Sequence, residues 1–419
     1  MSSKLKTQLQ KDILTLTKNY NNILLENATG TGKTLSSLKI AFQKYKKLKS
    51  KKKTIIFVKE TSHKYSWLKE FEDHKLDTSN FILECYSSCH KYINSEHNLI
   101  LDEVHALSDN RFNNIKTIKS DFIISLSATV KKDIKFKVKL LNDQNFYNYQ
   151  YPLNQAIDDE LLPDPEIFIV KKELDNINKS EEYIFKKGTE SKTKPENIYN
   201  IEYKDRFYYL KKLKNLNVEN YIIKAKCTQE EYYIQLSNDI EYFKSKGNKN
   251  PKSPAYQKML RLSLQRKKFL GLIKTPLLKL LLTKLINERY ICFTSSINQA
   301  DEVGKNVLHS GIKNYKKLIP EIISNFNEGK INNITVAEML KEGVNLKNCK
   351  YGIITQLDSF ELSFIQRLGR VLRHESPVVF IFVVPGTTDE LYFLENIKSI
   401  QHRNIQVLNE SWLYEPKKE

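Results

Sequence analysis

The first 150 residues alternate short apolar runs with polar stretches of helical length. Each run is rich in Ile, Leu and Phe and ends in polar or small residues. This rhythm is typical of a parallel sheet built from β-α-β units, because strands buried on both faces are almost continuously apolar. The predicted strands are NILLE (22–26), TIIFV (54–58), FILEC (81–85), NLILDE (98–103) and FIISLSAT (122–129).

The same rhythm returns after a long interruption, which predicts a second α/β lobe. Its apolar runs are EIFIV (166–170), YICFTSS (290–296), NITVAEM (333–339), YGIITQ (351–356) and VVFIFVV (378–384). Between them lies a Lys-, Glu-, Asn- and Tyr-rich region in which two segments have the 3.6-residue apolar spacing of helices. We predict a first lobe at 1–150 and a second lobe at 151–400, with a mainly helical insertion at 171–280 and a C-terminal tail at 401–419.

Composition places the 419-residue chain among folded proteins without membrane-spanning helices. Hydrophobic residues make up 40%, and only 12 Gly and 11 Pro are present, which excludes disordered and collagen-like classes. The longest apolar run, ending at Pro385, is far shorter than the roughly 20 residues that a span needs. No apolar segment typical of a secretory signal follows the N-terminus, and the five Cys residues are scattered. We expect a reducing compartment, the cytoplasm, or the host-cell cytoplasm if a phage encodes the chain.

Basic residues exceed acidic residues, and the excess is uneven. The chain has 68 Lys plus Arg against 49 Asp plus Glu, a formal net charge of +19. Residues 1–150 carry 26 basic and 15 acidic side chains, and residues 251–300 carry 10 and 1. Such a surplus attracts polyanions, and nucleic acid is the first candidate. The second block predicts backbone contacts from Arg266 and Lys267, with a solvated helix face as the alternative.

A phosphate-binding loop is predicted by ATGTGKT (28–34), which follows a predicted strand and precedes a helix-like segment. The pattern is G-x4-G-K-[ST], with Ala28 in place of the first glycine. Glycines let backbone N–H groups turn toward phosphate oxygens, and the helix N-terminus adds partial positive charge. Lys33 should reach the β- and γ-phosphates of ATP, and Thr34 should coordinate Mg²⁺. The nucleotide-contacting residues of this loop are Thr29, Gly30, Thr31, Gly32, Lys33 and Thr34.

An acidic pair follows the loop by about 70 residues, at the end of the apolar segment LILDEVH. A phosphate-binding loop needs a carboxylate on the next-but-one strand to hold Mg²⁺, and hydrolysis needs a group that positions or activates water. Asp102 suits the first role, and Glu103 suits the second. The two segments together predict ATP hydrolysis.

The phosphate-binding loop and the acidic segment together resemble those of the superfamily 2 helicases and translocases, in which a DExH segment follows the phosphate-binding loop. Four later segments resemble family motifs and occur in the family's order. They are SAT (127–129), FTSS (293–296), MLKEGVNL (339–346) and QRLGRVLR (366–373). The resemblance covers roughly residues 5–170 and 285–385, and it implies two RecA-like lobes in tandem with ATP bound between them.

The resemblance also assigns nucleotide-site roles to second-lobe residues. Arg370 and Arg373 would reach across the cleft and stabilise charge on the transferring phosphoryl group. Gln366 would tie the cleft together, and Gly343 and Asn345 would contact the nucleotide.

Weaker matches resemble the remaining family segments. QKDIL, which begins at Gln10, resembles the adenine-reading segment, with Gln8 as an alternative. FVKETSHKYSWLKEF and CYSS (85–88) resemble two first-lobe motifs, and we interpret Trp67 in the former as a packing residue. The nucleic-acid contacts implied by the motifs are Lys59, Ser87, Thr294 and Ser295.

The expected function is that of an ATP-dependent DNA helicase or translocase, similar to the restriction-enzyme-type and compact phage-type branches. ATP and Mg²⁺ are the implied cofactors, and DNA is the implied partner. An RNA helicase shares this chemistry, so RNA stays possible. A third alternative is a nucleic-acid-binding remodelling factor that uses ATP as a switch without unwinding. No membrane partner is expected, and the chain is predicted to be a monomer or a weak oligomer.

Overall fold

The computed structural model describes residues 2–141, 145–247, 250–313, 315–337, 346–357, 369, 374–400, 404–408 and 410–414. These residues form a six-stranded sheet, a three-stranded sheet and a seven-stranded sheet. The two larger sheets are parallel and have helices between their strands. The predicted fold class of two tandem parallel-sheet α/β lobes is therefore confirmed.

The first lobe contains the six-stranded sheet. Its strands are β1 (Asn22–Asn27), β2 (Thr54–Val58), β3 (Phe81–Cys85), β4 (Asn98–Leu101), β5 (Ile123–Ser127) and β6 (Phe146–Tyr151). Its helices are α1 (Ser2–Thr17), α2 (Lys33–Leu48), α3 (Thr61–Asp73), α4 (Asp109–Lys116) and α5 (Lys132–Leu141). The strand order is β3-β2-β4-β5-β1-β6. Alternate residues of β4 face opposite sides, so Ile100 packs in the core that contains Leu38 of α2, and Leu99 packs in the core that contains Ile115 of α4.

Five of these strands coincide with predicted apolar runs, and β6 was missed. The sequence of β6, FYNYQY, mixes aromatic and amide residues, and most of its positions are half-buried. A strand at the edge of a sheet has only one neighbour and needs no continuous apolar run. A short helix, α6 (Leu153–Asp158), then leads to the second lobe.

The second lobe contains the seven-stranded sheet. Its strands are β7 (Glu166–Lys171), β11 (Tyr290–Thr294), β12 (Val307–Leu308), β13 (Asn333–Ala337), β14 (Tyr351–Ile354), β15 (Val378–Val383) and β16 (Ile405–Leu408). Its helices are α10 (Thr275–Lys284), α11 (Ile297–Val303), α12 (Tyr315–Asn327), α13 (Thr388–Asn396) and α14 (Glu410–Tyr414). The strand order is β12-β13-β11-β14-β15-β7-β16.

The predicted tail at 401–419 is corrected, because its described part belongs to the second lobe. Strand β16 pairs in parallel with β7, and Leu413 of α14 is buried in the lobe's core. Trp412 stacks on Phe380 of β15, with the ring centroids 6.2 Å apart. The prediction missed this edge strand because it has four residues, three of them exposed.

The insertion lies between β7 and α10 and carries its own sheet. Its strands are β8 (Glu181–Lys187), β9 (Ile198–Glu202) and β10 (Tyr221–Cys227), and its helices are α7 (Arg206–Asn215), α8 (Gln229–Lys246) and α9 (Pro254–Ile273). Central β10 pairs antiparallel with β8 and parallel with β9. One face of this sheet packs on α8 and α9 through Ala225, Cys227 and Leu236.

The prediction of a mainly helical insertion found α8 and α9 but missed the three strands. Strands covered on one face alternate apolar and charged residues, as in EEYIFKK of β8, and therefore lack the apolar runs of the lobes. The predicted end at 280 is also corrected. Helix α10 packs through Leu277, Leu278 and Leu281 in the core of the second lobe.

Candidate active site

The phosphate-binding loop connects buried β1 to the N-terminus of α2. Gly30 and Gly32 have φ values of 94° and 88°, which side chains with a Cβ disfavour. Lys33 Nζ donates to the backbone carbonyl of Asn27 at 2.7 Å, and Thr31 Oγ1 donates to the carbonyl of Ala28 at 2.8 Å. No side chain caps the N-terminus of α2, so the loop fits an anionic group at that end.

Gln10 of α1 lies beside this loop. A Cβ built on Gly32 would lie 3.2 Å from Gln10 Nε2, and Gln10 Oε1 accepts a hydrogen bond from Lys39. Gln8, the alternative, is exposed and donates to Asp12 at 2.8 Å. The structure therefore brings Gln10, rather than Gln8, to the phosphate-binding loop.

The acidic pair follows β4, at the same edge of the sheet as the loop. Burial, and secondly the charge of Glu103, raises the pKa of Asp102 to about 6. Trp67 Nε1 donates to Asp102 Oδ2 at 2.8 Å, and this bond and the charge of Lys33 act against the rise of the pKa. Mg²⁺ in proteins is usually held by one or two carboxylates together with substrate phosphates, so Asp102 and Thr34 fit such an ion.

Trp67 is a residue whose part in the site the sequence did not show. Its side chain is 1% exposed, in agreement with the packing role that we expected. Its indole N–H also fixes the orientation of the Asp102 carboxylate. The two positions are 35 residues apart in sequence, and nothing local indicates this contact.

His105 connects the acidic segment to the SAT segment. Its Nδ1 lies 3.2 Å from Glu103 Oε2 and 3.3 Å from Ser127 Oγ. Ser127 Oγ donates to the carbonyl of Thr129 at 2.8 Å. A displacement of either segment would therefore change the position of His105 and its contacts with the other segment.

Glu26 of β1 is a second residue that the sequence analysis missed. Its carboxylate accepts hydrogen bonds from the Val130 backbone N–H, Lys135, Asn148 and Gln150, at 2.8 to 3.1 Å. Burial acts to raise the pKa of Glu26, but these side-chain hydrogen bonds outweigh it, and the pKa lies below 4.5. The carboxylate joins the strand before the phosphate-binding loop to the segment after SAT.

The final motif of the second lobe meets the phosphate-binding loop of the first. A Cβ built on Gly369 would lie 2.7 Å from Cβ of Thr29, so only glycine permits this approach. The predicted nucleotide-site residues of this lobe lie outside the described residues. They are Gly343, Asn345, Gln366, Arg370 and Arg373.

Two protein-family models match the chain, one in each lobe. The type III restriction enzyme, res subunit model matches residues 3–99, and the helicase conserved C-terminal domain model matches residues 274–375. These matches identify residues 3–99 and 274–375 as domains of the superfamily 2 helicase type.

Two curated relatives match this helicase over limited segments. ATP-dependent RNA helicase DHH1 of Encephalitozoon cuniculi is 27% identical over 143 residues, 32% of this chain and 29% of that protein. Putative ATP-dependent RNA helicase MJ1505 of Methanocaldococcus jannaschii is 28% identical over 112 residues, 27% of this chain and 13% of that protein. The matched segments thus span less than a third of either relative.

Among solved structures, S. cerevisiae Dbp5 bound to RNA and ADP BeF3 has a similar fold. The alignment covers 96% of this chain and 90% of that chain, with a TM-score of 0.56 and 12% identity. At this identity the likeness concerns the fold alone, and the two lobes of the helicase are RecA-like.

No described helix is both long enough and apolar enough to cross a membrane.

The predicted nucleic-acid contacts in the first lobe of the helicase follow two neighbouring strands. Strands β2 and β3 are paired with Val58 opposite Cys85, and Lys59 and Ser87 follow these two ends. Ser87 is exposed, and Lys59 is half-buried. Both lie at the edge of the sheet that also carries the phosphate-binding loop.

The predicted contacts in the second lobe are corrected. Thr294 and Ser295 are 7% and 1% exposed. Thr294 Oγ1 donates to the carbonyl of Val336 at 3.1 Å, and Ser295 Oγ donates to Gln299 Oε1 at 2.9 Å. Both hydroxyls are therefore used inside the lobe.

The basic run on α9 is corrected in part. Arg266 is half-buried, donates to Ser237 Oγ of α8 at 3.1 Å and lies over the Tyr233 ring, so it packs within the insertion. Lys267 is also half-buried. The exposed basic residues of α9 share one face of the helix, and they are Lys258, Arg261 and Lys268.

Proposed function

We propose that this helicase is a DNA-dependent ATPase that couples hydrolysis between its two lobes to movement along DNA or to its unwinding. The observation that supports this most is the contact between Gly369 and Thr29. It brings the last second-lobe motif to the loop that would hold the triphosphate. ATP bound there would touch both lobes, so its hydrolysis could change their relative position.

In the first lobe, the proposed roles follow the geometry of the sheet edge. Lys33 binds the β- and γ-phosphates, and Thr34 and Asp102 hold Mg²⁺. Glu103 positions the attacking water, and Gln10 reads the adenine. The loop residues Thr29, Gly30, Thr31 and Gly32 direct backbone N–H groups at the phosphates.

In the second lobe, the proposed roles rest on the motif that contains Gly369. Arg370 and Arg373 stabilise the charge that develops on the phosphoryl group, and Gln366 links the two sides of the cleft. Gly343 and Asn345 complete the nucleotide contacts. Supply of arginines by one lobe to a phosphate held by the other would make turnover depend on closure of the cleft.

The proposed DNA-binding groups lie in both the first lobe and the insertion. Lys59 and Ser87 follow neighbouring strand ends, and the exposed face of α9 adds Lys258, Arg261 and Lys268. Contacts of lysine and arginine with phosphates are sensitive to salt and largely independent of sequence. Such contacts suit a motor that moves along DNA.

RNA is the second candidate substrate, because both curated relatives are named RNA helicases. The restriction-enzyme model that matches residues 3–99 favours DNA instead. ATP turnover measured with single-stranded, duplex and forked DNA and with RNA distinguishes the two. Stimulation by RNA alone would overturn the DNA proposal. Turnover without translocation or strand displacement would favour the switch-type remodelling factor.

The decisive variant is Lys33→Ala. Because the ammonium group acts on the phosphates, we expect DNA-stimulated ATP turnover to fall by at least about a hundredfold while DNA affinity stays nearly unchanged. Lys46→Ala, at an exposed position of the same helix, is the matched control and should retain turnover. Glu103→Gln should bind ATP but turn it over slowly. Full turnover by Lys33→Ala would refute the proposed phosphate site.

A further inference from the structure

Helix α7 of the insertion presents an aromatic and basic face to solvent. Leu213 is the one buried residue of this fully described helix. Phe207 and Tyr208 are 66% and 64% exposed, although large apolar rings are usually covered. Lys211 and Lys212, one turn further along, are exposed on the same side.

This segment carries mostly positive charge. Residues 203–214 contain five basic side chains and one acidic side chain, Asp205. The sequence of α7 itself has no acidic residue. A surface that combines lysines with exposed rings complements a flexible polyanion that has flat apolar faces, and single-stranded nucleic acid has this chemistry.

The aromatic residues are held in place by neighbouring groups. The Arg206 guanidinium lies 3.7 Å from the Tyr203 ring centroid and 4.2 Å from that of Phe207, and it donates to the carbonyl of Tyr203 at 2.9 Å. Tyr208 packs edge-on against Tyr209, with centroids 5.4 Å apart. Ordering these rings in advance lowers the entropy cost of stacking a base on them.

The insertion is joined closely to the motor. A Cβ built on Gly271 of α9 would lie 1.8 Å from Ser295 Oγ, so α9 touches the FTSS segment without a gap. A nucleic-acid strand bound to the insertion would therefore be held by a domain that packs directly against the second lobe.

We propose that α7 is a second docking surface, on which bases of single-stranded DNA stack against Phe207 and Tyr208 while Lys211 and Lys212 bind the adjoining phosphates. The choice of DNA rests on the proposed function. The chemistry of the surface favours a single strand over a duplex, because the bases of a duplex are already stacked on each other.

The test measures the contributions of stacking and of charge separately, in the 419-residue chain. Affinity for a labelled oligothymidylate of about 20 nucleotides is measured by fluorescence anisotropy over a range of salt concentrations. Phe207→Ser with Tyr208→Ser removes the rings, and Lys211→Gln with Lys212→Gln removes the charges. Tyr242→Ser with Lys246→Gln is the matched control, because Tyr242 is a 57% exposed ring with a lysine beside it on α8 of the same insertion.

The two variants should differ in kind. Loss of the rings should weaken binding by about tenfold or more with an unchanged salt slope, because stacking releases no counterions. Loss of two lysines should reduce the slope of log affinity against log salt by about 1.4. The control should change neither quantity. Unchanged affinity in both α7 variants would overturn the docking surface.

Two further arms test the choice of ligand. A duplex of the same length should lose less affinity than oligothymidylate when the rings are removed, and an equal or larger loss would overturn the choice of a single strand. Tighter binding of oligouridylate than of oligothymidylate by the wild type would overturn the choice of DNA. Failure of the surface is distinguishable from failure of the proposed function. In the first case wild-type ATP turnover is still stimulated by DNA, and in the second case it is not.

Discussion

The two lobes have the same parallel α/β architecture but use the carboxyl edges of their sheets differently. In the first lobe, the residues after β1 and β4 include half-buried groups that can meet a ligand, such as Lys33 and Asp102. In the second lobe, the polar residues after β11 and β14 are closed off. Ser295, Thr355 and Gln356 are 1%, 0% and 3% exposed.

Gln299 is the centre of the closed edge. Its Oε1 accepts from the Ser295 N–H and from the hydroxyls of Ser295 and Thr355, at 2.9 to 3.2 Å. Its Nε2 donates to the carbonyl of Gly271 at 2.7 Å and to Thr275 Oγ1 at 3.2 Å. A buried amide satisfied in this way holds its partners in one arrangement.

A buried ion pair extends the same network. Lys274, between α9 and α10, pairs with Asp389 and donates to the carbonyl of Thr355 at 2.7 Å. Gln356 donates to the second oxygen of Asp389. Burial lowers the pKa of Lys274, and Asp389 opposes this shift.

The difference between the edges follows from what covers them. The end of α9 and the start of α13 cover the described residues after β11 and β14, so this part of an edge that is often a binding site in α/β proteins connects the insertion to the lobe. Substitutions in the second-lobe network should therefore change stability. Substitutions at the first-lobe edge should change ATP turnover instead.

The largest expected effect is that of Asp389→Ala. It leaves the Lys274 ammonium buried without its counter-ion, and breaking such pairs costs about 3–5 kcal/mol. The chain has two Trp residues, one in each lobe, so urea unfolding of the second lobe can be followed through Trp412 in a Trp67→Phe background. Glu395→Gln, at an exposed position of the same helix, is the control and should cost less than about 0.5 kcal/mol. A loss below about 1 kcal/mol for Asp389→Ala would show that the joint contributes little.

The next largest effect is expected for Trp67→Phe in the first lobe. The ring volume is largely kept, but the hydrogen bond to Asp102 is lost. Loss of a partner that orients a metal-binding carboxylate typically costs about 10–100-fold in metal affinity or activity. We expect the Mg²⁺ concentration for half-maximal ATP turnover to rise, which a loss of packing alone would not cause. Trp412→Phe is the matched control, and an equal Mg²⁺ dependence in the two variants would contradict the positioning role.

The part of the molecule that sequence predicts well is the part defined by local pattern. Adjacent residues determine the structure of runs such as TIIFV and of the loop around Lys33, because full burial and phosphate binding each require particular neighbouring residues. The strands of the insertion could not be recognised in this way, since EEYIFKK faces solvent on one side.

Contacts between distant residues explain most of the remaining differences. Nothing local indicates that Ser295 meets Gln299 and Gly271, and so a motif expected to bind nucleic acid is in fact buried. The basic run of α9 was found by composition, but composition does not give helical phase. The spacing of Lys258, Arg261 and Lys268 on one face was the available signal, and it separates them from Arg266.

The smallest expected effect concerns Glu26, a buried carboxylate at the carboxyl edge of the first-lobe sheet. Glu26→Gln exchanges an oxygen for an amide N–H₂ among four donors, so the free energy of unfolding at pH 7 should fall by about 2 kcal/mol. Because the folded-state pKa lies below the unfolded value of 4.5, the carboxylate stabilises the fold above pH 4.5, and this contribution is lost as the pH falls through the folded-state pKa. The difference in unfolding free energy between wild type and variant, followed through Trp67, should therefore become smaller as the pH falls from 7 to strongly acidic values. Glu84→Gln, whose half-buried partner Lys64 lies 3.4 Å away, removes a single longer ion pair and should show a smaller difference. If the loss of unfolding free energy in Glu26→Gln persists unchanged below the pKa of Glu26, its cause is packing rather than charge. Buried polar networks would then contribute to stability in the second lobe alone.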